Sequence, residues 1–296
     1  MKKIAVLLAA YNGRKWIDEQ LKSIFEQVNV QMDVYISVDL STDNSYEYFI
    51  DTYSSLNNVF ILPYGNRYGA AGKNFYRLVL DVDFAGYDYV AFADQDDIWN
   101  RDKFSKAVSS LESMNIDAYS SNVTAFWESG KQCLIDKAQP QVEYDFLFEA
   151  AGPGCTYVFK KDLALNFQKF LRNNIDAQDV VLHDWLLYAY ARSNGYQWFI
   201  DKNPSMLYRQ HSNNEVGANN NIKAALKRIK KAREGWYRNE VLKLCNVFKF
   251  NNEEIISALI QGSFLKRIYL IASVKRFRRR NRDRFAIALF ILFKLL

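Results

Sequence analysis

The chain has 296 residues, 49% hydrophobic and 16% aromatic, enough to bury a full core in one large or two modest domains, which excludes a disordered polypeptide. Its three cysteines, Cys133, Cys155 and Cys245, are odd in number and irregularly spaced, so a reducing compartment is expected rather than a disulfide framework or a zinc site. The net charge of +6 is unevenly divided: residues 222–296 carry 19 Lys and Arg against 5 Asp and Glu, net +14, leaving 20 against 28, net −8, in residues 1–221.

Met1-Lys2-Lys3 and the apolar run over residues 4–10 imitate a signal peptide, but the run is short and passes into Tyr11-Asn12-Gly13-Arg14 without an Ala-x-Ala-like site. A first core strand with its turn is expected there. Apolar runs at residues 4–9, 34–38, 59–62 and 89–93 alternate with stretches of helical period at 15–27, 44–53, 72–80 and 103–114. This alternation predicts an α/β fold with a mostly parallel sheet flanked by helices, its ligand site at the carboxyl ends of the strands. Tyr11, Asp39 and Asp94 fall at three such ends and so share one rim.

In Val38-Asp39-Leu40-Ser41-Thr42-Asp43-Asn44-Ser45, Asp39 is placed to accept from the imide N–H of a uracil or thymine ring, while Asp43 caps the following helix. An EF-hand is excluded, because its glycine position is Asn44 and its bidentate position Ile50. Gly69-Ala70-Ala71-Gly72-Lys73-Asn74-Phe75 is a turn into a helix, with Lys73 in reach of a phosphate or sugar hydroxyl; the Gly-Lys-Ser/Thr order of a P-loop is missing.

Tyr89-Val90-Ala91-Phe92-Ala93 runs directly into Asp94-Gln95-Asp96-Asp97, three carboxylates within four residues. Carboxylates so close repel one another unless a cation or donors hold them, which suits Mg2+ or Mn2+ carrying the phosphates of a nucleotide-sugar. Alternatively, these aspartates cap the helix that begins near residue 101.

The only two histidines are His183, in Leu182-His183-Asp184-Trp185, and His211, in Tyr208-Arg209-Gln210-His211. His211 reads as a third metal ligand beside an Arg209 diphosphate clamp, and Asp184, opening a helix over 185–192, as a general base. A core histidine and a helix-start carboxylate are the structural alternatives.

The tail contains Lys275-Arg276-Phe277-Arg278-Arg279-Arg280-Asn281-Arg282 and closes on the apolar residues 285–296. As a helix those twelve residues extend only about 18 Å, too short to span a bilayer. Basic and aromatic residues beside a short apolar end suggest a segment lying on an anionic membrane surface, the alternatives being a solvated face or a nucleic-acid patch. A catalytic unit over 1–221 and a basic, amphipathic helical extension over 222–296 are expected.

With these residues assembled, the chain resembles glycosyltransferase family 2, inverting enzymes of the GT-A fold, and most closely its bacterial rhamnosyltransferase-like branch. The resemblance rests on the joint order of Ala10-Tyr11-Asn12-Gly13, Asp39 with Ser41 and Asp43, Lys73-Asn74-Phe75, Asp94-Gln95-Asp96-Asp97-Ile98-Trp99, His183-Asp184-Trp185, and Tyr208-Arg209-Gln210-His211 leading to Val216-Gly217. It implies that Ala10, Tyr11, Asp39, Lys73, Asn74, Asp94, Gln95 and Arg209 hold a dTDP- or UDP-sugar donor. Asp94, Asp96 and His211 would hold Mg2+ or Mn2+, and Asp184 would be the base. The expected reaction moves a deoxysugar onto a polyprenyl-diphosphate-linked glycan for O-antigen or capsule synthesis, at the inner face of the cell membrane, with no nucleic-acid partner. The chain departs from the family pattern at Val38 and Leu40, where a second aspartate and a glycine are common.

Overall fold

The structure is a computed structural model that describes residues 1–211, 230–250 and 253–295. Val216-Gly217 and the expected boundary between residues 221 and 222 lie outside the described residues. Strand β1 (Lys2–Ala10) is the central element, buried from Ile4 onward because both faces of the sheet are covered. Its side chains alternate between two cores. Ala5, Leu7 and Ala9 join one cluster, Ile4, Val6, Leu8 and Ala10 the other, as the two-residue period of a strand requires.

Parallel to β1 run β2 (Val30–Val38) on one side and β4 (Tyr89–Asp94) on the other, with β3 (Val59–Ile61) beyond β2. The sheet order among the described residues is β10-β6-β9-β4-β1-β2-β3, where β9 (Val158–Lys160) is the antiparallel member and β6 (Ala118–Ser121) and β10 (Trp198–Asp201) complete the edge. A smaller sheet, β5-β11-β7-β8, is formed by β5 (Ile98–Trp99), β7 (Val123–Trp127), β8 (Gln132–Ile135) and β11 (Met206–Gln210). The helices predicted between the first strands are present as α1 (Ile17–Phe25), α2 (Ser45–Tyr53), α3 (Ala71–Asp81) and α4 (Lys103–Ser113). A short α5 (Asp145–Phe148), α6 (Lys161–Asn173) and α7 (His183–Ser193) follow.

The C-terminal segment forms α8 (Trp236–Val247), α9 (Glu253–Gln261), α10 (Phe264–Ala272), α11 (Val274–Phe277) and α12 (Asn281–Leu292). Val241, Leu244, Ile255, Leu259, Leu270, Phe277, Ile287 and Ile291 are buried in the same cluster as α3, α6 and α7. The uneven charge also meets itself across this contact. Arg276 pairs with Glu143 at 2.7 Å, and Arg279, fully buried, pairs with the buried Asp145 at 2.9 Å. The Arg279 backbone N–H donates to Glu149 at 2.7 Å. Such pairs fix where the tail docks, while apolar burial supplies its stability. Phe285, Leu289, Leu292 and Phe293 nevertheless stay exposed, beside the exposed Phe264 and Leu265 of the adjoining α10.

Candidate active site

Three strand ends set the rim. In register, Ala9 lies beside Asp94 and Ala10 beside Val38, so Tyr11, Asp39 and Asp94 emerge together at the carboxyl edge. Backbone-to-side-chain bonds then lock the turns. The Tyr11 N–H donates to Gln95 Oε1 at 2.8 Å while Gln95 Nε2 returns a bond to the Tyr11 carbonyl at 2.7 Å. Gly13 fits against this amide because a Cβ there would lie 2.1 Å from Gln95 Oε1. Ser41 Oγ accepts from Asn12 N–H at 3.0 Å, Ser45 Oγ from Gly13 N–H at 2.9 Å, and Asp43 from the Ser45 N–H that opens α2 at 3.0 Å.

Asp39 is almost fully buried and accepts backbone N–H bonds from Leu40, Tyr68 and Gly69, each at 2.8 Å. It therefore anchors the loop over 62–70 while still lining the cleft beside Tyr11. Asn74, also buried, donates to the carbonyls of Ala10 at 3.3 Å and Ser37 at 3.0 Å, tying the ends of β1 and β2 together. Lys73, one position earlier on α3, is exposed and lies off the cleft wall. Among the described residues Arg67, on the loop before α3, brings a cation to the cleft wall, where the sequence pattern gave no signal.

The acidic cluster divides by position. Asp94 and Asp96 line the cleft with His211, whose Nε2 lies 2.6 Å from Asp96 Oδ2. Trp16 stacks on the His211 ring at 4.3 Å, a contact without a sequence signature. Asp97 points inward, fully buried, toward Asp94 and Cys155, with candidate ligand atoms of the three within 4.8 Å of one another. Burial first, then the Asp96 and Asp94 carboxylates, pushes the Asp97 carboxyl well above the usual range. Neither Asp97 nor Cys155 lines the cleft, and a thiol suits softer ions than Mg2+ or Mn2+. The cleft-facing set of Asp94, Asp96 and His211, oxygen donors with one imidazole, fits a Mg2+ or Mn2+ ion. The capping alternative fails, because β5 separates these aspartates from α4, which begins at Lys103.

Arg209 is directed elsewhere than the sequence suggested. Its Nε donates to the Asp96 carbonyl at 2.7 Å, its backbone N–H to Asp97 at 3.1 Å, and its guanidinium pairs with Glu19 over the face of Phe126. It braces the acidic turn and is absent from the cleft wall.

Asp184 lies across the cleft in the first turn of α7, which begins two residues earlier than predicted. Its Oδ1 accepts from Trp185 N–H at 2.7 Å at the N-terminal end of the helix. The neighbouring His183 stacks on Phe75 at 3.8 Å, and burial pushes its imidazole down to about 3, so it adds no positive charge beside the carboxylate. Gly154 faces both residues: a Cβ there would stand 2.8 Å from Asp184 Cβ and 3.0 Å from His183 Nε2. This closeness of Gly154 to Asp184 is a tertiary fact. A single cleft of about 1080 Å³ thus holds Tyr11, Asp39, Asp94, Asp96 and His211 on one side and Asp184 on the other.

The family description "Glycosyl transferase family 2" matches residues 5–136. Over 289 residues, 96% of this chain and 99% of the relative, the chain is 48% identical to dTDP-rhamnosyl transferase RfbG of Shigella flexneri. The chain belongs to glycosyltransferase family 2. A more distant relative, the Escherichia coli UDP-Glc:alpha-D-GlcNAc-diphosphoundecaprenol beta-1,3-glucosyltransferase WfaP, is 24% identical over 213 residues, 65% of this chain and 80% of the relative. Among solved structures, S. aureus TarS 1–349 in complex with UDP superposes with a TM-score of 0.57 at 14% identity, covering 92% of this chain and 79% of that one. Mannosyltransferase PcManGT from Pyrobaculum calidifontis, in complex with GDP-Man and Mn2+, gives 0.52 at 17%, covering 99% and 86%. These two structures identify the GT-A fold, while the 48% identity over nearly the whole chain makes it a glycosyltransferase of the family's bacterial rhamnosyltransferase-like branch.

Proposed function

We propose that the enzyme transfers L-rhamnose from dTDP-L-rhamnose, with inversion, to a polyprenyl-diphosphate-linked oligosaccharide in O-antigen or capsule synthesis. The observation carrying the donor is the 48% identity to a dTDP-rhamnosyl transferase over nearly the whole of both chains. The acceptor class is supported by a relative whose name specifies a diphosphoundecaprenol-linked sugar.

In this reading Tyr11 and Asp39 form the edge on which the base rests, and the 68–69 loop held by Asp39 closes over it. Asp184 takes the proton from the acceptor hydroxyl, and the neutral His183 beside it adds no positive charge of its own. Attack from the Asp184 side, opposite the diphosphate, inverts the anomeric carbon. Bound by Asp94, Asp96 and His211, Mg2+ or Mn2+ supplies Lewis acidity for the departing diphosphate.

Among the described residues no helix is long and apolar enough to cross a membrane. Contact with the inner face of the cell membrane is proposed through Phe264, Leu265, Phe285 and Phe293, exposed on adjoining helices of the basic segment. Each basic residue near an anionic surface contributes roughly 1 kcal/mol at low salt, and the inserted side chains add a salt-insensitive part. Co-sedimentation with anionic liposomes should weaken with salt without vanishing; full-length protein left in the supernatant at low salt removes membrane contact from the proposal.

The donor is tested by thermal shift with dTDP-rhamnose, dTDP-glucose and UDP-glucose in Mn2+, followed by transfer to a synthetic lipid-diphosphate acceptor. A stabilisation of a few kcal/mol, greatest for dTDP-rhamnose at equal concentration, is expected. Preferential stabilisation and turnover with UDP-glucose assigns a UDP-sugar donor instead.

A further inference from the structure

The cleft does not end at Asp184. Past Gly152, Pro153 and Gly154 its wall continues along Lys137, Arg278, Arg280 and Arg282, then along Ala286, Ile287 and Phe290 of α12. The C-terminal segment therefore builds half of the cavity that the rim of the sheet begins.

This half is unbalanced in charge. Asp136 is already taken, accepting from Asn122 at 2.9 Å and Gln139 at 2.7 Å, and Asp283 lies 3.4 Å from Arg282 and 3.7 Å from Arg278. Three carboxylates, Asp136, Asp283 and Glu149, the last 4.0 Å from Arg278, face the four cations Lys137, Arg278, Arg280 and Arg282. The Lys137 amine is sunk in the wall, where burial and then the nearby Arg278 push it down to about 8 in spite of the Glu149 and Asp283 carboxylates. Beyond the cations the chemistry changes at once. α12 is apolar on every side after its first turn: Ile287 and Ile291 pack into the core, Phe290 lines the cleft, and Phe285, Leu289 and Phe293 face outward.

We propose that this half of the cleft binds a prenyl diphosphate, its phosphates among Lys137, Arg278, Arg280 and Arg282 and its first prenyl units along Ile287 and Phe290. Guanidinium forks match phosphate oxygens, and an apolar run leading from them to exposed aromatic residues suits a ligand with an anionic head and a long hydrocarbon tail. A sugar on the head then points back past Gly154 toward Asp184. The role as acceptor subsite rests on the functional reading above; the binding site itself does not.

The test uses farnesyl diphosphate, a short prenyl diphosphate without sugar, titrated calorimetrically into the full chain in EDTA, so that donor, metal and turnover play no part. Farnesol and inorganic pyrophosphate should each bind at least about tenfold more weakly, since each lacks one half of the recognition. Arg280→Glu combined with Arg282→Glu, both at solvent-accessible positions, should weaken farnesyl diphosphate by at least about tenfold and leave dTDP affinity in Mn2+ unchanged. Equal affinity of variant and wild type overturns the site. Pyrophosphate binding as tightly as farnesyl diphosphate overturns its prenyl part, and a parallel loss of dTDP affinity moves these cations to the donor. Arginine-dependent binding without any sugar transfer keeps the site and sinks the functional reading instead.

Discussion

Glu240 of α8 accepts the backbone N–H of Val181 at 2.8 Å, three residues ahead of Asp184. Its other oxygen takes Lys243 Nζ at 2.7 Å, and the same ammonium donates to the Asp179 carbonyl at 2.8 Å. The opposite side of the segment is pinned by Gly72, where a Cβ would stand 2.1 Å from the Val181 carbonyl oxygen. The basic C-terminal segment therefore holds the loop that leads into Asp184, the proposed base. Glu240→Ala takes the acceptor from the part-buried Val181 N–H, a cost of about 1 kcal/mol. Its expected signature is a lower melting temperature with reduced kcat and near-normal dTDP affinity; unchanged kcat in folded protein shows that α7 alone sets Asp184.

Asp184→Asn preserves shape and removes proton acceptance. Turnover should fall by at least about a hundredfold while donor affinity stays near wild type. Gly154→Ala approaches the same carboxylate from outside, with a Cβ 2.8 Å from Asp184 Cβ, and a displaced base should cost kcat about tenfold or more without a matching loss of dTDP binding. Turnover within a few fold for Asp184→Asn means that another carboxylate is the base.

Asp96→Ala removes one side of the 2.6 Å contact with His211 and relieves the crowding felt by Asp97. The fold should survive, and dTDP binding should lose its dependence on Mn2+. His211→Ala should act in the same direction. Calorimetry with and without EDTA decides: an unchanged Mn2+ dependence in both variants removes these residues from the metal site.

Burial lowers the His183 pKa from about 6.5 to about 3. Between those values the unfolded chain binds a proton that the folded chain refuses, so this contribution to stability is complete above about pH 6.5 and is lost as pH falls. The slope from one such group reaches about 1.4 kcal/mol per pH unit. His183→Asn forfeits the stacking on Phe75 and should be less stable at pH 7, yet its stability should decline less between pH 6.5 and 4. Parallel denaturation curves for the two proteins over that range place the acid sensitivity elsewhere.

Chain-local pattern was sufficient for the helices and the parallel strands of the first 114 residues, though not for the two-residue β5, because a covered parallel strand is apolar without interruption and a helix repeats every 3.6 residues. It also sufficed for the rim: Tyr11, Asp39 and Asp94 end or directly follow strands, and adjacent parallel strands bring such residues together whatever else the chain does. Packing between distant segments decided the rest. Lys73 and Asn74 are neighbours on α3, yet helical rotation buries the amide under β1 and β2 and leaves the ammonium outside the cleft. Arg209 has the chemistry of a phosphate clamp but is turned onto Glu19, 190 positions away in the sequence. The basic tail, read alone, has the composition of a surface-binding segment. Its folded role is set by Glu143, Asp145 and Glu149, whose carboxylates draw Arg276 and Arg279 onto the body and thereby make α8 and α12 walls of the active-site cleft.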